Sequence, residues 1–372
     1  MSQRNAALAY AAFEDRNLEA AAAYVEAAVE GGYPGIQQLG AVIAHQRGDY
    51  AGAIQMLETL EQATEASISL LIRLHLLAGD AQRAGQLLLD CCRYNAFGPP
   101  LYDVPRWQGE PLDRRRIVVW GAGFGDDIMY VRYVPVLAER GAEVVVACRP
   151  ALVRLFESLD GVSRVVTLDA DVTDCDYHVQ TAELVARFGI ADDCPWPGAY
   201  LGATAQTFDA PGLRVGLVWA SAAAHFEVAD KSAALAEMTA LASVPNATFY
   251  SLQVGSPQAQ LHPAPAGLVV EDLAPQLRDF ADTAAAIAGL DVVISIDTAV
   301  ANLAGAMGAN VWVAAPFIPD WRWASEGPTS TWFPTATVYR QPRRGDWRSV
   351  FEAMASDLKV LQVTVDDEVA TS

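Results

Sequence analysis

The segment Val292–Pro316, VVISIDTAVANLAGAMGANVWVAAP, restricts the possible folds more than any other part of the chain. Val292 to Ile296 is an unbroken apolar run of the length of a strand buried on both faces, as in a parallel sheet. A short polar turn, Asp297-Thr298-Ala299, follows, then a stretch of mostly small residues up to Met307, then a second apolar run. Strand, turn, helix, strand is the unit from which open α/β sheets are wound, and such sheets bind ligands past the carboxyl ends of their strands. Small side chains at the helix start let backbone N–H groups approach a diphosphate closely, with the positive end of the helix dipole behind them. Two plainer readings compete. Asp297 and Thr298 are also ordinary helix-capping residues. The run is long enough to cross a bilayer, although Asp297, Asn302, Asn310 and the nearby glycines argue against a span.

Residues 5 to 95 are rich in Ala and Leu and repeat a pattern. The six-residue stretches beginning at Arg16, Gly48 and Gly79 (RNLEAA, GDYAGA, GDAQRA) recur at intervals of 31 to 32 residues. Each is expected to mark the turn between two amphipathic helices. Repeats of this kind stack into a superhelix whose concave face holds a peptide or helix of another protein. The alternative is a helical cap that stabilises its neighbour or mediates self-association. From Phe97 to Pro111 four prolines break the helical period, as a semi-rigid connector would. Arg116 to Trp120 then reads as a strand, followed by a Gly-rich turn, a helix from Asp127 to Glu139 and a strand from Glu143 to Cys148. A second Pro/Gly break, Tyr200 to Gly212, precedes the strand Arg214 to Trp219 and reads as a hinge. Asp346 to Leu361 reads as a final helix.

Charge and reactive side chains exclude several function classes. With 25 Lys and Arg against 45 Asp and Glu, the formal charge of −20 repels nucleic acid and anionic membranes. Cys91, Cys92, Cys148, Cys175 and Cys194 form no CxxC pair, and the five histidines form no HExxH cluster, so no metal site is expected. The apolar run near the start is broken by Glu14 and Asp15, with no leader cleavage pattern after it, which reads as cytoplasmic.

Trp120-Gly121-Ala122-Gly123-Phe124-Gly125-Asp126-Asp127 is followed by Arg132-Tyr133-Val134-Pro135. Further on come Val215-Gly216-Leu217-Val218-Trp219-Ala220, Ser251-Leu252-Gln253, Asp279 to Ala284, the Asp297-Thr298 segment, and Pro319-Asp320-Trp321-Arg322-Trp323. In this order, over roughly residues 105 to 365, the set resembles glycosyltransferase family 9, the heptosyltransferase-like group, in its forms fused to tetratricopeptide repeats. The resemblance implies an α + α/β chain. Tetratricopeptide-like repeats would occupy 1–95, a Pro-rich linker 96–113, an acceptor-side Rossmann-like lobe 114–205 and a donor-binding Rossmann-like lobe 206–345. A helix crossing back, with the tail, would occupy 346–372. The two doubly wound lobes would form a GT-B fold. The implied activity is metal-independent, inverting transfer of a sugar from a nucleotide-sugar co-substrate, without a further cofactor, to a protein hydroxyl. The repeats would recognise the acceptor, with flagellin a candidate.

The same resemblance assigns residues. Asp126 matches the aspartate proposed as general base, with Asp127 as a possible exchange partner. Lys231, Ser232, Asp297, Thr298, Ala299 and Asn302 would face the donor diphosphate, and Gly125, Trp219, Gln253, Asp282 and Thr283 would border the nucleotide or sugar pocket. Trp321, Trp323, Trp332 and Phe333 either line the sugar side or pack the lobes together. The chain departs from the pattern at three places: Asn302 stands where a histidine is usual, Lys231 where an arginine is, and Ala299 where a glycine is common. Asparagine cannot carry a positive charge or give up a proton. Two other readings therefore stay open: a non-catalytic adaptor with a degenerate domain, and a lipopolysaccharide heptosyltransferase-like enzyme.

Overall fold

The computed structural model describes residues 2–60, 62–93, 101–121, 123–188, 198–221 and 231–370, with backbone alone at 92–93 and 363–370. Ala122, Cys194, Asp230 and positions 97–100, all named above, lie outside them.

The first part is a run of three helical hairpins: α1 (Ser2–Glu14) with α2 (Leu18–Glu30), α3 (Ile36–Gln46) with α4 (Tyr50–Glu58), and α5 (Glu65–Leu77) with α6 (Ala81–Arg93). Their apolar residues recur at helical spacing; α2 buries Ala21, Val25 and Ala28, and α3 buries Ile36, Leu39, Ile43 and Ala44. The recurring sequence turn is a recurring structure. Arg16, Gly48 and Gly79 take positive φ (58°, 81° and 77°). The next residue in each case caps the second helix. Asn17, Asp49 and Asp80 accept from the N–H of Ala20, Gly52 and Arg83 at 3.1, 2.9 and 3.1 Å. Each such cap contributes about 1 kcal/mol.

Two parallel sheets follow. The first has the order β3-β2-β1-β4, from β1 (Arg116–Trp120), β2 (Glu143–Cys148), β3 (Val162–Thr167) and β4 (Tyr177–Gln180). The second has the order β10-β9-β8-β5-β6-β7, from β5 (Leu213–Val218), β6 (Ala247–Ser251), β7 (Val270–Asp272), β8 (Val292–Ile296), β9 (Val311–Ala315) and β10 (Ala336–Arg340). All the ladders within both are parallel. Every residue of β8 and β9 is buried, which accounts for their nearly continuous apolar sequence, Ser295 being the one polar residue. Counted from β5, the second sheet has the 3-2-1-4-5-6 order of dinucleotide-binding sheets, with the order reversing between β5 and β8. The first sheet reverses between β1 and β4.

One expected helix is divided. In place of a continuous helix from Asp127 to Glu139 there is α7 (Phe124–Tyr130), a 3-10 turn at Val131–Tyr133, and a helix at Val134–Glu139. Pro135 sits in the first turn of that last piece. It has no N–H to continue the preceding ladder, and its ring restricts the residue before it. The closing helix, Trp347–Ala370, extends beyond the expected Leu361 and packs Trp347, Phe351, Met354 and Leu358 on the second sheet's core.

A single apolar core runs from the first sheet (Ile117, Val119, Val146) through α7 to the second (Val293, Val313) and takes in Trp321, Trp323 and Phe333. Cys91, Cys148 and Cys175 are free and buried. Among the described residues no helix is long and apolar enough to cross a membrane.

Candidate functional site

The two places where strand order reverses face each other. Past the end of β1, Gly121 leads into α7, whose first turn carries Asp126 and Asp127. Gly121 is needed for close approach: a Cβ there would lie 1.7 Å from Asp127 Oδ1 and 2.7 Å from Thr181 Oγ1. Past β8, Asp297 and Thr298 lead into the helix Ala299–Ala306. The first turns of the two helices meet at Gly125, where a Cβ would lie 3.2 Å from Asn302 Nδ2 and 3.8 Å from the Ala299 backbone. The absence of a side chain at Gly125 lets the lobes touch.

Asp297 does not cap the helix. Its carboxylate is 7 % exposed and receives Lys231 Nζ at 3.2 Å on one oxygen and the indole N–H of Trp323 at 2.8 Å on the other. Burial works to raise its pKa, but Lys231 and the Trp323 bond outweigh that and hold it below the ordinary carboxylate value. Thr298 makes no side-chain cap either; its Oγ1 lies 2.9 Å from Ser295 Oγ. Asn302 donates from Nδ2 to the carbonyl of Thr298 at 2.9 Å, and its Oδ1 is buried without a hydrogen-bond partner. Ser232 Oγ accepts from the Ser221 N–H at 3.1 Å.

On the facing loop the two aspartates differ. Asp126 is half-exposed and forms an ion pair with Arg322 of the second lobe. Asp127 is 2 % exposed, and among the described residues neither of its oxygens has a well-formed hydrogen bond; Arg149 Nη1 is 3.8 Å away. Burial pushes its pKa up to about 7, with Arg149 opposing and Asp126 adding to the rise.

Arg322 was not singled out as a site residue by sequence. Its guanidinium is largely buried, stacks over Trp321 at 4.7 Å, donates to Asp320 at 2.8 Å, and reaches Asp126 across the lobe boundary. Desolvation works against its charge, but Asp320 and Asp126 overcome this and keep it protonated. The only sequence signal was its place in Asp320-Trp321-Arg322-Trp323.

The remaining expected residues serve other contacts. Trp219 is fully buried. Gln253 accepts the N–H groups of Trp219 and Ala220 at 3.2 and 2.9 Å and donates to the Val254 carbonyl, so its amide fixes the loop past β5. Asp282 binds Arg278 at 2.8 Å and Arg154 of the first lobe at 3.2 Å, and these pairings, Arg278 first, lower its pKa to about 2. Thr283 Oγ1 donates to the Asp279 carbonyl at 3.2 Å. Trp321 and Trp332 meet edge to face at 5.0 Å. Arg132 of the first lobe lies over Trp332 and Phe333 and donates to the Trp332 carbonyl at 3.1 Å, so these rings pack the lobes together.

A cavity of about 230 Å³ opens beside Lys231 and Asp297. Its floor is the loop Pro316–Trp321 past β9, and its far wall comes from the helical hairpins: His45 and Gln46 of α3, Arg73 and Leu77 of α5. Of the expected donor residues, Lys231 and Asp297 line it. Asn302 and Ala299 lie instead at the lobe junction beside Gly125.

No family model matches the chain. Protein FlbA of Caulobacter vibrioides is 23% identical over 307 residues, covering 71% of this chain and 50% of its own length. The chain thus spans about half the length of that curated relative. A glycosyl transferase family 9 protein from Veillonella parvula superposes with a TM-score of 0.46 at 11% identity, over 62% of this chain and 87% of that one. The dodecameric glycosyltransferase TibC of enterotoxigenic E. coli gives 0.45 at 11% identity, over 70% and 78%. The E. coli heptosyltransferase WaaC with ADP gives 0.41 at 12%, over 65% and 99%. Likenesses of this size leave the family open.

Proposed function

We propose that the chain is a glycosyltransferase of GT-B type that moves a sugar from a nucleotide-sugar donor to a protein hydroxyl, with inversion and without a metal. The observation that carries this reading is the apposition of two strand-reversal points, one presenting Asp126 and the other the Lys231–Asp297 pair beside a cavity. In the reaction Asp126 takes the proton of the acceptor hydroxyl while its oxygen attacks the anomeric carbon from the face opposite the diphosphate. The bond to the diphosphate breaks, and Lys231 faces the charge that leaves. Arg322 holds Asp126 by an ion pair until the acceptor arrives. The hairpins, read as tetratricopeptide-like repeats, recognise the acceptor protein, with flagellin as a candidate. An apolar groove of about 460 Å³ between α4, α5 and α6, lined by Leu57, Leu60, Leu71 and Leu87, supports that role.

The adaptor reading has its own observation: Asn302 is turned onto its own helix, and Asp126 is engaged by Arg322. Calorimetric titration with a panel of nucleoside diphosphates and nucleotide sugars, followed by a transfer assay with the sugar nucleotide that binds, separates the two. Transfer by the wild type, with Asp126→Asn retaining donor affinity but losing turnover by more than a hundredfold, is the expected result. Absence of binding across the panel would put the adaptor first, and undiminished transfer by Asp126→Asn would remove that residue from its role.

A further inference from the structure

The charged groups that line the cavity beside Lys231 are engaged within the protein. Lys231 pairs with Asp297 at 3.2 Å, Asp320 with Arg322 at 2.8 Å, and Arg344 donates to the carbonyl and side-chain oxygens of Gln46 at 2.8 and 2.9 Å. Arg73 has interactions of its own. The polar group left over is a neutral one. Gln341 stands one residue past β10, and its backbone N–H continues the ladder by donating to Ala315 of β9 at 3.0 Å. It therefore lies at the carboxyl end of the sheet, where a doubly wound sheet receives its ligand. Its residue is 4 % exposed and lines the cavity. The side-chain oxygen accepts the N–H groups of Phe317 and Gly345 at 3.1 and 3.2 Å, which fixes the orientation of the amide. The nitrogen, Nε2, is buried without a hydrogen-bond partner among the described residues. Gln253, two residues past β6, uses both ends of its amide inside the protein, so the position does not itself require an unused donor. An unmatched buried donor is unfavourable and asks for an acceptor from elsewhere. Two further groups share the space. Phe317, whose N–H Gln341 holds, is 38 % exposed. His45 of α3 lines the hairpin wall; burial first, then Arg73 and Arg344, push its pKa down to about 4, so at neutral pH its ring offers one N–H donor and one acceptor and no charge.

We propose that this cavity binds an uncharged sugar ring, with Gln341 Nε2 donating to one ring or hydroxyl oxygen, His45 exchanging a hydrogen bond with a hydroxyl, and Phe317 covering the apolar face. Small-molecule sites combine an apolar surface with a few placed polar groups in this way. The volume of about 230 Å³ is below the roughly 300–1,000 Å³ of sites for drug-sized ligands, so the space takes one ring and not a whole sugar nucleotide. A sugar needs a single aromatic surface on its apolar face. A flat base stacked on both faces would need a second, and Trp321 is already covered by the Arg322 guanidinium at 4.7 Å and meets Trp332 edge to face at 5.0 Å. The identification of this ring with the donor's sugar rests on the glycosyltransferase reading, in which Lys231 faces the leaving diphosphate; the affinity for sugar rings does not. The hairpins thereby contribute to the choice of ligand as well as offering a platform for a partner, and the choice favours neutral sugars over acidic ones.

The test is saturation-transfer NMR on the full chain, with dissociation constants taken by titration. The probes are the methyl glycosides of glucose, galactose, mannose and N-acetylglucosamine, with methyl glucuronide as the charged counterpart. Gln341→Glu keeps an oxygen for the Phe317 and Gly345 N–H groups and removes the donor. Phe317→Ala removes an exposed ring, and so keeps the test decisive should Gln341→Glu disturb the fold. Arg278→Gln, an exposed arginine that binds Asp282, is the control. The expected result is binding of at least one neutral glycoside by the wild type, weakened roughly tenfold by either cavity variant, unchanged by the control and insensitive to salt. Failure of every neutral glycoside to bind, preference for the glucuronide, or cavity variants that bind as well as wild type would overturn the subsite. If nucleotide sugars are turned over with no dependence on Gln341 or Phe317, the subsite falls and the transferase reading stands. If glycoside binding depends on both residues but no nucleotide sugar is accepted, the subsite stands and the transferase reading falls.

Discussion

Asp127 and Asp297 occupy comparable places, each just beyond the strand at which its sheet reverses order, and each almost wholly buried. Their surroundings are opposite. Asp297 has an ammonium on one oxygen and an indole N–H on the other. Asp127 has no well-formed hydrogen bond on either among the described residues, and Arg149 stands off at 3.8 Å. One buried carboxylate is thus held as an anion in one lobe while the other favours the neutral acid. Of these two carboxylates, Asp297 has the compensating groups, and its partner Lys231 also faces a cavity.

The sharpest way to break this comparison is to remove the compensated member. Asp297→Ala leaves Trp323 without its acceptor and Lys231 without its counter-charge, and is expected to cost about 3 kcal/mol in urea unfolding at neutral pH. A cost below about 1 kcal/mol would mean that the pair contributes little. The uncompensated member should behave in the opposite sense. The folded state holds Asp127's proton up to about pH 7, whereas the unfolded chain releases it near the ordinary 3.8. Stability contributed by the neutral form is therefore full below about pH 4 and is lost as pH rises through about 7. Asp127→Asn should match wild type near pH 4 and exceed it by about 1–3 kcal/mol at pH 8; parallel stability curves would refute the assignment. The smallest effect belongs to the junction between the two loops. Asn302→Ala gives up one hydrogen bond but also removes an unsatisfied buried oxygen, so denaturant midpoints should shift by no more than about 1 kcal/mol.

What the sequence disclosed followed from how locally each feature is encoded. The strands at Arg116–Trp120, Glu143–Cys148 and Val292–Ile296 appear where their apolar runs place them, because burial on both faces leaves little room for polar residues: Arg116 and Glu143 stand at strand starts, and Ser295 is satisfied by its own hydrogen bond. The hairpin turns were legible because a left-handed residue followed by Asn or Asp is a local requirement repeated at 17, 49 and 80. The division at Pro135 is hidden in the sequence because the apolar pattern continues through it. The site itself was half legible. Lys231 and Asp297 meet across 66 residues and line the cavity, but Arg322's reach to Asp126 spans 196 and Arg344's contact with Gln46 spans 298. No local period carries such separations. The wall that α3 and α5 give the cavity arises from how the hairpins dock, which their own repeat does not specify.

The guanidinium of Arg132 has a consequence for how the molecule comes apart. It lies 1 % exposed among Tyr200, Trp332 and Phe333 while bonded to a carbonyl of the opposite lobe. Drawing the lobes apart would bring a desolvated charge and three rings into water together, so separation and melting should share much of one barrier. Calorimetric unfolding of the two sheets should accordingly give a single endotherm.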